Sequence, residues 1–84
     1  MDRTNNFIDA VERVKKLKQQ PSDQDLLQLY GLYKQVTVGN NNNPRPMFWD
    51  LKGQSKWDAW ESYRNMSKEK AMDHYIHLVK RLEK

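Results

Sequence analysis

Tyr30, Tyr33 and Lys34 stand at i, i+3 and i+4 within the run LYGLYKQVTVG, Leu29 to Gly39. On a helix all three share a face, one turn apart. A phenol ring can stack on another ring while its hydroxyl meets an oxyanion, and an ammonium binds phosphate as a mobile point charge. This face could therefore hold a group that joins a flat ring to a negative charge. The same spacing also suits a core edge, with Lys34 running its apolar stem out to water. Lys52 and Lys56 make a second cationic pair one turn apart, beside Trp57 and Trp60 at i, i+3. Taken alone, those lysines are a solvated face and those tryptophans are core.

The remaining candidate groups are weaker. His74 and His77 could ligate a metal, but they face away from Met72, Tyr75 and Val79, and no third ligand has an obvious place. Asp23 and Asp25 read as helix-start carboxylates, not a catalytic pair. The chain has no cysteine, no serine nucleophile motif and no glycine-rich phosphate loop. A non-enzyme without cofactor or metal is expected.

Four segments with helical periodicity must position these groups. In the first, Phe7, Ala10, Val11, Val14 and Leu17 recur at three- and four-residue spacing, after capping oxygens on Thr4, Asn5 and Asn6. Lys15, Lys16 and Lys18 lie near its C-terminal end, and Pro21 breaks the pattern. The second begins at Ser22 as N-cap and runs to about Val38, with Gly39 suited to a left-handed cap. Its apolar residues form two faces: Leu29, Leu32 and Val36 on one, and Leu26, Leu27, Tyr30, Tyr33 and Lys34 on the other. A bundle helix needs only one apolar stripe, so the second face suggests a groove.

The stretch NNNNPRPMFWD cannot continue a helix and is expected to be a long ordered or semi-ordered loop. The third helix holds GQSKWDAWESY and is closed by Asn65. The fourth starts at Ser67 and packs through Met72, Tyr75, Ile76, Val79 and Leu82. The expectation is one all-α domain over residues 1–84, a four-helix bundle with a long loop between helices 2 and 3.

Bulk properties narrow the partners. With 84 residues and no disulfide, the core must come from apolar and aromatic side chains, including three tryptophans and four tyrosines. No apolar run is long enough to span a bilayer, and MDRTNNFID lacks a signal-peptide layout. A soluble, cytoplasmic protein without stable membrane insertion is expected. Fifteen basic residues against eleven acidic ones give a net charge of +4, which favours an anionic partner.

Three runs taken together resemble the acyl-CoA-binding protein family, also called diazepam-binding inhibitors. They are YGLYKQVTVG (30–39), RPMFWDLKGQSKWDAW (45–60) and SKEKAMDHYIHLV (67–79), and the likeness extends over nearly the whole chain. The resemblance implies a bowl-shaped four-helix protein, expected as a monomer, that binds long-chain acyl-CoA esters reversibly as an intracellular carrier and pool former. Position by position, it implies ligand contacts from Lys15, Tyr30, Tyr33, Lys34, Lys52, Lys56 and Tyr75. Lys15 flanks the apolar face of the first helix, whereas Lys16 points outward. Leu26 and Leu27 are candidates for the apolar lining.

The chemistry of that ligand agrees with the residues. Its phosphates carry about four negative charges, which lysines can meet, and its adenine needs an aromatic partner. Gln20 and Gln54 stand where many relatives carry lysine, Met47 where glycine is common, and Lys70 where an acidic residue would complete a capping box. The alternative is a basic helical nucleic-acid-binding or protein-interaction module. Nucleic acid is not expected, because the cations are scattered over several helices.

Overall fold

Each of the four helices begins at a side-chain cap. The computed structural model describes residues 2–84, with α1 at Arg3–Val14, α2 at Asp23–Thr37, α3 at Leu51–Glu61 and α4 at Lys68–Leu82. Ser22 Oγ accepts from Asp25 N at 3.1 Å and Ser67 Oγ from Lys70 N at 3.1 Å. Both satisfy a backbone donor that the helix itself leaves free. With lysine at position 70, Ser67 caps without the reciprocal carboxylate of a capping box. The cap of α1 differs from expectation. It is Asp2, whose carboxylate accepts from Thr4 N at 2.9 Å, so Thr4, Asn5 and Asn6 already lie inside the helix. A carboxylate at that end also complements the helix dipole.

The helix ends are as specific. After Val14 the chain tightens into i→i−3 bonds from Lys15, Lys16 and Leu17, which places Leu17 beyond α1. Gly39 ends α2 with φ 101°, and Asn65 adopts φ 71° after α3. Both are left-handed positions suited to glycine and asparagine.

Helix α2 packs against α3 and α4, and α4 packs against α1; among the described residues no other helix pair makes a close backbone approach. The helices thus run α1, α4, α2, α3 in an open row, with Cα extents of 40 × 28 × 15 Å. An open row explains the second apolar face of α2. A closed bundle would cover it, and here it forms one wall of a concavity.

The core lies between α1, α2 and α4 and contains Phe7, Ala10, Leu29, Leu32, Val36, Ala71, Met72, Tyr75, Leu78 and Val79. Ile76 and Leu82 pack at its edge, while Ala71 and Leu78 join the stripe expected on α4. Surface ion pairs cross the row from Arg3 to Asp73, from Arg13 to Glu83 and from Arg81 to Asp25. The last ties α4 to the start of α2.

The asparagine run is a set of crosslinks. Asn41 is 1% exposed, its carbonyl accepts from Arg64, and its Oδ1 accepts from Asn43 N at 2.9 Å. Asn40 Oδ1 accepts from Asn65 N at 2.7 Å and from Gln35 Nε2 at 3.0 Å. The buried Gln35 also donates to Met66 O at 3.1 Å. Further along, Trp60 Nε1 donates to Gly39 O and Trp57 Nε1 to Asn43 O, both at 2.7 Å. Trp60 is core as expected; Trp57 is half-buried and clamps the loop. Arg45 holds Asp58 through two bonds of 3.0 and 2.9 Å, and its guanidinium keeps that carboxyl below its ordinary range. The long loop is thereby fastened along α3, which sets α3 against α2.

Candidate functional site

On the concave side, α2 and α3 enclose a groove of about 650 Å³ lined by Gln20, Asp23, Leu26, Leu27, Tyr30, Lys52, Ser55 and Lys56. Three other grooves, of 550 to 590 Å³, lie elsewhere on the surface. Size alone does not choose among them; composition does. Of these four, only the α2–α3 groove joins an aromatic ring, two lysines without carboxylate partners among the described residues and a pair of leucines.

Geometry follows from helical spacing. Leu26, Leu27 and Tyr30 project from the face of α2 that the core does not use. Lys52 and Lys56 project from α3, one turn apart. Lys56 Nζ lies 5.5 Å from the centre of the Tyr30 ring, which pairs the cation with the electron-rich ring face. Farther along α2, Lys34 Nζ lies 5.0 Å from the centre of the Trp60 ring. Trp60 is buried and fixed through its indole N–H, so it gives Lys34 a rigid seat.

Tyr33 and Tyr75 meet in a second cluster, at the junction of α1, α2 and α4. Phe7 stacks on Tyr33 with ring centres 6.2 Å apart and meets Tyr75 edge-on at 5.1 Å. Tyr33 remains 41% exposed, while Tyr75 is 4% exposed. Burial, reinforced by Tyr33, pushes the Tyr75 phenol up to about 12 from its ordinary 10.0. It therefore stays a hydrogen-bond donor at physiological pH. Because the fold favours the protonated phenol, the stabilisation is complete below pH 10.0 and lost as pH rises towards 12. Chemical denaturation across pH 9 to 12 should show a falling unfolding free energy, and Tyr75→Phe should flatten that fall. Burial raises the Tyr63 phenol too, so the flattening is partial.

Of the residues expected at the site, the structure brings Leu26, Leu27, Tyr30, Lys52 and Lys56 to one groove. Tyr33 and Tyr75 form the neighbouring aromatic cluster, and Lys34 sits over Trp60. Lys15 stands apart from the groove lining, as the C-cap of α1, with its ammonium 3.0 Å from Glu12. Asp23 and Ser55 line the groove without having been expected there. Asp23 was legible only as a helix-start residue, and Ser55 carries no signal of its own. Phe7 bridges the two tyrosines, a role that its place in an apolar stripe does not reveal. Gln54, which stands where many relatives carry lysine, holds the loop instead: its side chain donates to Pro46 O at 2.9 Å. His74 and His77 are both exposed, and no cluster able to hold a metal occurs among the described residues.

Comparison with known proteins matches residues 4–79 to the family described as Acyl CoA binding protein. The chain belongs to the acyl-CoA-binding protein family. Acyl-CoA-binding protein homolog 1 of Caenorhabditis elegans is 46% identical over 79 residues, covering 94% of this chain and 92% of the relative. The Drosophila melanogaster homolog is 46% identical over 76 residues, covering 90% and 88%. Among solved structures, Acyl-CoA-Binding Protein 2 of Oryza sativa superposes with a TM-score of 0.91 at 44% identity, covering 96% of this chain and 90% of its own. The open row of helices is thus the acyl-CoA-binding protein fold. Among the described residues, no helix is long and apolar enough to cross a membrane.

Proposed function

We infer that this chain reversibly binds medium- to long-chain acyl-CoA esters along the α2–α3 concavity and carries them as a monomeric cytoplasmic pool. The carrying observation is the groove itself, where Lys56 faces Tyr30 and Lys52 lines the same wall beside Leu26 and Leu27. The lysines and Tyr33 suit the phosphates, and a tyrosine ring suits adenine. The leucines suit the pantetheine and acyl portions. Lys34 on Trp60 and the Tyr75 hydroxyl extend this surface, and Lys15 would join by leaving Glu12. The family membership and the names of the relatives support the ligand class. Binding and release are the whole activity in this reading; no bond is made or broken.

Nucleic acid is not favoured. All five arginines, the residues best shaped for phosphate recognition, are ion-paired with the chain's own carboxylates.

Native mass spectrometry of the purified protein should show a bound species heavier by one acyl-CoA. In calorimetry, Lys56→Ala should weaken acyl-CoA binding by about three- to tenfold, for one phosphate contact and its ring pairing, with the unfolding midpoint unchanged. Lys56→Ala binding equal to the parent, or an unfolded variant, would remove Lys56 from the site.

A further inference from the structure

Among the described residues, four of the seven exposed large apolar side chains fall within Met47–Leu51: Met47, Phe48, Trp49 and Leu51, from 63% to 77% exposed. Met47, Phe48 and Trp49 lie in a turn closed by Asp50 N donating to Met47 O at 2.9 Å, which puts Phe48 and Trp49 at the apex, and Leu51 opens α3 directly after it. The two rings meet edge-to-face with centres 5.0 Å apart. The apex stands on a fixed base. Asp50 caps Gly53 N, Gln54 holds Pro46 O, Arg45 grips Asp58, and Trp57 fastens Asn43. The apolar groups therefore project as a preformed convex knob rather than folding back onto the chain. A contiguous exposed apolar patch of this kind marks a surface made to be covered.

Shape and charge indicate what covers it. A two-residue convex tip carrying phenylalanine and tryptophan fits a soft interface, and these rings favour the headgroup boundary of a bilayer. Lys52 follows Leu51 directly and Lys56 lies one turn further, neither of them ion-paired among the described residues. Of the carboxylates nearest in sequence, Asp50 caps α3 and Asp58 is bound by Arg45, while Asp23 lies across the groove on α2. The knob is thus an apolar tip with cations behind it, complementary to negatively charged headgroups. Lys52 and Lys56 also line the groove, so the knob is continuous with its α3 wall.

We propose that the Met47–Leu51 knob docks this protein onto an anionic lipid bilayer, with Phe48 and Trp49 entering the interface and the groove held beside the membrane surface. The docking stands on the knob alone; only its use in loading or unloading cargo rests on the acyl-CoA reading. The arrangement suits a ligand with an apolar chain, which can pass between bilayer and groove with little exposure to water.

The test is co-sedimentation of the ligand-free full chain with large vesicles of phosphatidylcholine alone and with about 30% phosphatidylserine. The parent should bind the anionic vesicles, and salt at about 0.5 M should weaken that binding. Phe48→Ser/Trp49→Ser should lose at least about tenfold in vesicle affinity, since two interfacial rings are removed. Neither side chain lines the groove, so the variant should keep its unfolding midpoint and its calorimetric affinity for hexadecanoyl-CoA. Equal vesicle binding by parent and variant would overturn the proposal in favour of charge alone. A parent that ignores vesicles would overturn it as well. Ultracentrifugation would then show whether the knob joins two copies, with the variant monomeric. Vesicle binding by a parent that takes no hexadecanoyl-CoA would leave the docking intact and refute the proposed function.

Discussion

Replacing Gly31 with alanine should lower stability and weaken acyl-CoA binding together. A Cβ on Gly31 would lie 2.6 Å from Ala59 O, 2.8 Å from Ala59 C and 2.9 Å from Tyr63 Cδ2. The first two atoms are backbone of α3 and cannot rotate away, so α2 and α3 must move apart. Overpacking of this kind costs about 1–3 kcal/mol. Alanine recovers up to about 1 kcal/mol through its better helix propensity. The net expectation is a loss of about 1–2 kcal/mol, which in a domain this small lowers the unfolding midpoint by about 5–15 °C. The walls of the groove are these two helices, so separating them should also weaken acyl-CoA binding. A Gly31→Ala variant more stable than its parent would show that α2 and α3 are not so closely apposed.

Affinity should rise steeply with acyl-chain length, and this is the larger effect. Full burial of a methylene contributes about 0.8 kcal/mol, so a 16-carbon chain could add up to about 12 kcal/mol. An exposed lysine contact contributes about 0–1 kcal/mol. The nucleotide end should therefore select CoA esters, while the chain should set most of the affinity range. Because the groove is open to solvent on one side, each two-carbon step should tighten binding by about 4- to 15-fold, the upper figure being full burial. Free CoA should bind weakest of the series. Isothermal titration from octanoyl- to octadecanoyl-CoA measures this directly. A flat series would mean that the acyl chain lies in water and that Leu26 and Leu27 do not line its path.

Local signals made most of the scaffold legible in advance. Ser22 and Ser67 cap their helices and Gly39 ends α2, because each acts on neighbours within four residues. Helix α3 stops earlier than expected, at Glu61 with Ser62 as its C-cap, and Asn65 closes the turn that follows. The start of α1 was misplaced for a related reason. Several residues in Asp2–Asn6 can cap, and only the dihedral angles decide among them. The second face of α2 was legible as surplus apolar surface, which the open helix order then explains.

What pattern could not show depends on residues distant in sequence. Asn40 meets Asn65 and Gln35 meets Met66 only after α3 has folded back. Gly31 lies where the α3 backbone at Ala59 leaves no room for a Cβ, a contact between residues 28 positions apart. Tyr33 and Tyr75 belong together because Phe7 lies between them. Lys15 was implied by the family resemblance and favoured over Lys16 by its helical face, and neither shows that its ammonium pairs with Glu12 outside the groove lining. The knob at Phe48 and Trp49 was read only as loop, since apolar residues between prolines and a cap signal neither burial nor exposure.

An amide and side-chain NMR titration of the full chain with hexadecanoyl-CoA locates the ligand on the protein directly. Saturable shifts are expected at Lys15, Leu26, Leu27, Tyr30, Tyr33, Lys34, Lys52, Lys56 and Tyr75, with the Asp2–Asp73 face of α1 and α4 unchanged. Shifts confined to that face, or to the Arg13–Lys84 groove at the opposite end of those helices, would contradict binding along the α2–α3 concavity.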